Sequence, residues 1–200
     1  MRHRSPVSRG RPGVDPVATQ GAWSNYTNLR VEPADHAVGR SRGGLSTKIH
    51  QLVDGAGLPL VVLVTPGQAG DSPMFELLMS QLRIARPTGR PRTRPEALLG
   101  DKAYSSRAIR EHLRTRGITA VIPEPDDQKR HRTRRGSRGG RPPGFDAARY
   151  KSRNVIERGF NNIKQWRGLA TRYDRLAIVY RGAAVLRAIT LWLKRLGDAP

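Results

Sequence analysis

The residues from Tyr150 to Trp166, YKSRNVIERGFNNIKQW, combine an apolar face with a stripe of groups that could do chemistry. At helical spacing, Arg153, Glu157, Asn161 and Lys164 fall within roughly 80° of one another and close to Tyr150. Val155, Ile156, Phe160, Ile163 and Trp166 fill the adjoining arc, so the polar stripe borders a buried face. A second carboxylate, Asp101, follows the apolar run Ala97–Leu99 and a glycine, which places it at the end of a strand. A strand-end Asp and a helical Glu brought together can hold a hard divalent cation such as Mg²⁺ or Mn²⁺. Two such ions activate the attacking oxygen and stabilise the leaving one in phosphoryl transfer. Arg153 and Lys164 would then contact phosphates. The plainer alternative is a solvated stripe with an i,i+4 Arg153–Glu157 pair, and an Asp101 that only caps a turn.

The charge bears on which alternative holds. The 200 residues carry 37 Lys+Arg against 16 Asp+Glu, a net charge of +21, so polyanions are the expected partners through counterion release. The basic excess is mostly Arg, which suits bidentate phosphate contact. With no cysteine there is neither a disulfide framework nor a thiolate metal site. No run reaches the length of a membrane span, and the N-terminus lacks the apolar stretch of a secretory signal. A cytoplasmic, nucleoid-associated protein is the expectation.

The elements that must position these groups follow from periodicity. Residues 1–30, rich in Pro, Gly, Ser and Arg, read as disordered or unrelated to the rest. LSTKIHQLV (45–53) alternates like a strand, DGAG (54–57) turns, and LPLVVLVTPG (58–67) is apolar enough to be buried on both faces; together they predict an antiparallel hairpin. A helix over MFELLMSQLRI should be capped by Asp71 or Ser72, with Phe75, Leu78 and Leu82 on its inner face. A short strand then runs into Asp101. A helix over 105–117 should end at Gly117, and 118–125 is another strand. Residues 128–144, with Lys129, Arg130, Arg132, Arg134 and Arg135 and no acid, read as a mobile basic loop that binds DNA non-specifically. The segment 176–196 is a long apolar helix expected to pack on the sheet. Strands first, with helices interleaved, predict an α/β fold: a mixed sheet flanked by helices.

Beyond these patterns, Tyr150, Arg153, Glu157 and Lys164 match the spacing Y-x2-R-x3-E-x6-K, and the chain resembles the bacterial DDE insertion-sequence transposases. GRSRGGLSTKIH (39–50), TPGQAGDSP (65–73), LLGDKAYSS (98–106) and GRPPGFD (140–146) are similar to blocks of the insertion sequence 5 group. The resemblance covers about 32–196 and implies an RNase H-like catalytic domain over 31–196. It further implies Mg²⁺ or Mn²⁺ as cofactor, with Asp101 and Glu157 as the second and third acidic residues of a triad. The implied activity is strand cleavage and transfer at element ends, with terminal repeats and target DNA as partners and a homo-oligomer on DNA. The family's first catalytic Asp lies on a central strand, in a stretch resembling D-S-T, that has no counterpart here. Asp15 is followed by Pro16 and lacks flanking apolar alternation. The expectation is thus an N-terminally truncated transposase, either retaining its chemistry or reduced to a remnant that grips DNA or interferes with a full-length copy. A basic RNA-binding protein, carried by charge alone, would not produce the ordered Y-R-E-K spacing.

Overall fold

The computed structural model describes residues 35–172 and 176–197. The readings of 1–30 and of Asp15 lie outside the described residues.

The hairpin is present as the alternation requires. β1 (Gly39–Ser41), β2 (Gly44–Val53) and β3 (Pro59–Pro66) form an antiparallel sheet in the order β1-β2-β3. Asp54 closes the β2–β3 turn, its Oδ1 accepting from the backbone of Ala56 and Leu58, each at 2.9 Å. β3 is buried on both faces. Val61 and Leu63 meet Leu78 of α1 (Met74–Gln81), and Leu82 just after it, on one side. Val62 meets Ile163, Tyr180 and Ala184 on the other.

The expected cap of α1 is absent. Its N-terminal residue is Pro73 with no side-chain cap, because the Asp71 carboxylate is engaged by Lys48 and His50 instead. The backbone carbonyls of Asp71 and Ser72 take the first two helical N–H groups, of Met74 and Phe75.

The second layer is a β-α-β unit. β4 (Ala97–Leu99) pairs in parallel with β5 (Thr119–Val121), and α2 (Arg107–Thr115) makes the crossover that parallel pairing demands. Ser106 caps α2 by accepting from Ile109 N at 3.2 Å. Gly117, at φ +62, turns the chain out of the helix one residue beyond Arg116. Phe75, Met79, Ile109, Leu113, Ile118 and Ile122 form the core beneath this unit.

Three expectations need correction. The α/β class holds, but the described strands form two separate sheets rather than one. Residues 128–144 are not a loop throughout: α3 spans Asp126–Arg134, and a 3-10 turn follows at Gly136–Gly139. Asp126 and Asp127 sit in the first turn of α3 and His131, Arg132 and Arg134 in its last, so the charges complement the helix dipole at both ends. The expected continuous helix from Tyr150 is broken into α4 (Ala147–Tyr150), a 3-10 turn (Lys151–Arg153) and α5 (Asn154–Lys164).

Two helices complete the fold, α6 (Arg167–Ala170) and α7 (Ala177–Leu196). α7 lies on β3, with Arg181 Nε donating to Val62 O at 2.9 Å and Trp192 Nε1 to Pro59 O at 2.8 Å. Among the described residues only one of its faces is covered: Ile178, Leu186, Ile189 and Leu196 are exposed. No helix among the described residues is long and apolar enough to cross a membrane.

Candidate active cleft

A cavity of ≈ 920 Å³ separates the two sheets. It is lined by consecutive residues of β2 and β4 and by the inner face of α5. Successive residues of a strand point to opposite faces, so a cavity touching all of them runs along the strand edges. α5 approaches β2 closely at Gly159, where an added Cβ would lie 3.1 Å from Gln51 Nε2 and 3.2 Å from Val53 Cγ1.

Asp101 lines this cleft, as the strand-end reading requires. Its Oδ1 accepts from Ala103 N at 2.9 Å, so it also caps the 3-10 turn Lys102–Tyr104. The turn-capping reading therefore describes this side chain. Beside it, Tyr104 has its phenol pushed up to about 12, first by burial and then by the charges of Asp71 and Asp101.

Sequence reasoning missed the polar cluster that faces Asp101. Lys48 Nζ lies 3.2 Å from Asp71 Oδ1 and donates to Ala69 O at 2.7 Å. His50, buried, hydrogen-bonds Thr65 Oγ1 through Nε2 at 2.7 Å and places Nδ1 3.5 Å from Asp71. Burial lowers the His50 pKa; Asp71 opposes that shift and Lys48 adds to it. The signal in the sequence was the pair Lys48 and His50 two residues apart, hence on one face of a strand.

The helical stripe divides. Arg153 and Lys164 line the cleft. Arg153 also covers the Tyr150 ring, 5.7 Å from its centroid, and Tyr150 rests on Phe145. Arg149, at the same mouth, pairs with Glu96 at 3.1 Å. Glu157 is not among the lining residues; its Oε1 accepts from Arg153 Nη2 at 3.2 Å and its side chain is 63% exposed. On α3, Arg130, Arg134 and Arg135 are exposed, Lys129 pairs with Asp126 at 2.9 Å, and Arg132 is bound to the largely buried Glu124.

Among the described residues no three His, Asp or Glu side chains gather to hold a metal ion. Asp101 has one carboxylate oxygen engaged by its own turn, and Glu157 pairs with Arg153.

An α/β fold with an acidic strand end and flanking cations in one cleft is matched by a family model, the transposase DDE domain, over residues 16–193, and the chain belongs to that family. It is 31% identical over 150 residues to a Brucella ovis protein assigned by name to the transposase of insertion sequence element IS6501. That match spans 75% of this chain and 100% of the relative. No solved structure matches the chain.

Proposed function

We propose that this chain binds DNA in the cleft between β2, β4 and α5, as the RNase H-like domain of an insertion-sequence transposase. Asp101 and Glu157 are its candidate carboxylates for strand cleavage and transfer. The observation that carries this reading is the shared cleft: Asp101, just past the end of β4, lines the same cavity as Arg149, Arg153 and Lys164. Cations in that position hold phosphates, and an acid at a strand end is where cleavage chemistry would sit.

The Arg153–Glu157 pair bears on a second reading, a chain that binds DNA without cutting it, because it engages one of the two candidate carboxylates. Alone, the chain binds duplex DNA and shows little or no metal-dependent cleavage. The test is a gel-shift and nicking assay of the purified 200-residue chain on duplex DNA with Mg²⁺ or Mn²⁺. Binding without nicking is expected. Robust nicking that survives Asp101→Asn would remove Asp101 from the site, and absence of binding at low salt would end the proposal.

A further inference from the structure

We infer that the arginine-rich hairpin between α1 and β4 is a second phosphate site, which takes the backbone of DNA leaving the cleft at the end of β4 opposite Asp101. That the site meets DNA rests on the proposed function; that it binds polyphosphate does not.

Residues 84–94 carry Arg86, Arg90, Arg92 and Arg94 and no acid. A segment of that composition is ordinarily a loose, solvated one. Here it is closed. Ile84 and Arg92 exchange both backbone hydrogen bonds, at 2.9 and 2.8 Å, and Gly89, at φ +83, turns the chain between them. Pro87, Pro91 and Pro95 each fix a further backbone angle.

The hairpin is also fastened to the C-terminal end of α2. Arg116 Nη2 donates to Thr93 O at 2.9 Å, and Arg94 Nη1 donates back to Arg116 O at 3.3 Å. Arg92 Nε donates to Arg94 O at 3.0 Å. These bonds go to carbonyls, so they orient the guanidinium groups without neutralising them.

Arg86, Arg90, Arg92 and Arg94 line one cavity of ≈ 550 Å³. Among the described residues none of the four pairs with a carboxylate. The one acid on the cavity wall, Glu96, is taken by Arg149. Four like charges around one hollow repel one another, at a cost that no carboxylate of the fold offsets. A phosphate group offsets it, because planar guanidinium forks give it bidentate, charge-assisted bonds. A hairpin already held in place loses little freedom on binding. Apart from prolines, no apolar residue stands between Arg86 and Arg94, so the patch has nothing to insert into a lipid surface.

The position of the hairpin points to DNA as the source of the phosphates. Pro95 and Glu96 line both this cavity and the cleft, so the two are contiguous. Asp101 lies five residues beyond Glu96, past the other end of β4, roughly 17 Å away at strand rise. A duplex lying along β4 with one phosphate at Asp101 brings another to the hairpin about five base pairs further on, at roughly 3.4 Å per base pair.

The probes are sodium tripolyphosphate and a labelled DNA duplex, each titrated with the full chain. The variant is Arg86→Gln with Arg90→Gln, because these two, unlike Arg92 and Arg94, hold no carbonyl of the hairpin or of α2. Its melt should match that of the parent chain. The control is Arg107→Gln with Arg158→Gln, two exposed cations that line neither cavity. Tripolyphosphate is expected to saturate one site, shifting the amide resonances of 84–94 and Gly117. Its binding should be at least tenfold weaker in the variant and unaltered in the control. With the duplex, the slope of log K against log salt should flatten by about two in the variant, and by the same amount when the variant is made on top of Arg153→Ala and Lys164→Ala. No saturable polyphosphate site, resonances shifting elsewhere, or equal weakening in variant and control would overturn the phosphate site. Tripolyphosphate binding with an unchanged duplex slope would overturn the assignment to DNA and make the hairpin a site for free polyphosphate. A hairpin effect on the slope, with none from Arg153 and Lys164, would support the hairpin site and remove the cleft reading instead.

Discussion

Arg153 Nη2, in the 3-10 turn that leads into α5, stands 3.2 Å from Glu157 Oε1, one helical turn further on at the border of the cleft. The pair is solvated on the Glu157 side, so it contributes about 0.5 kcal/mol or less to stability. Glu157→Ala should leave the urea midpoint nearly unchanged. It should also free the Arg153 guanidinium and remove a negative charge from the cleft border. DNA affinity at low salt is therefore expected to rise severalfold, measured by anisotropy on a labelled duplex. Weaker binding would show that Glu157 positions Arg153 for phosphate rather than competing with it.

Arg153 and Lys164 line the cleft together. If both meet phosphates, changing both to Ala weakens binding alike on unrelated duplexes, because phosphate contacts carry no base information. The slope of log K against log salt should flatten by about two. An unchanged slope would assign both residues to folding alone.

His50 gives the cleft a pH signature. Its pKa is lowered from 6.5, chiefly by burial, so below 6.5 the unfolded chain binds a proton that the folded chain resists. Its contribution is complete above the unfolded value and is lost as pH falls below it. Stability should thus decline between pH 7.5 and 5.5, above the range where carboxylates titrate. His50→Gln is expected to flatten that decline in urea titrations at several pH values. An identical slope in the variant would mean that other groups set it.

Gly159 fixes how near α5 sits to β2. A Cβ there would come 3.1 Å from Gln51 Nε2 and 3.3 Å from Gly57 O, a backbone atom that yields less easily. Gly159→Leu should cost about 1–3 kcal/mol by overpacking. A thermal melt reads the effect, and a neutral outcome would mean that α5 shifts freely on the sheet.

What the sequence disclosed follows the range of the interactions. Alternation of apolar residues in β2 and β3, and the inner face of α1 at Phe75, Leu78 and Leu82, are local patterns and could be read directly. Asp71 looked like a helix cap because Ser and Pro follow it. Its actual partners, Lys48 and His50, are more than twenty residues away, and no local rule names them. The division into two sheets likewise depends on which strand lies beside β2 and β4, a non-local matter. α3 was hidden by its charge: a segment without apolar residues shows no helical period, and its helix rests on end charges and on the Arg132–Glu124 pair.

That pair separates arginines that composition alone cannot. Arg132 reaches back to Glu124, whose side chain is 15% exposed, while Arg130 and Arg134 stand on the exposed surface of α3. Removing Arg132 leaves Glu124 largely desolvated without its partner, a loss of about 1–3 kcal/mol. Arg132→Ala should therefore lower the melting temperature and reduce the helical signal of α3. The double change Arg130→Ala, Arg134→Ala should do neither, since exposed cations off any network change stability by about 0.5 kcal/mol or less. Its effect should fall on DNA instead, with uniformly weaker binding and a salt slope flatter by about two. Melts and salt titrations on the same two proteins give the comparison. Arg132 would belong with the DNA contacts if its removal flattened the slope while leaving the melt in place.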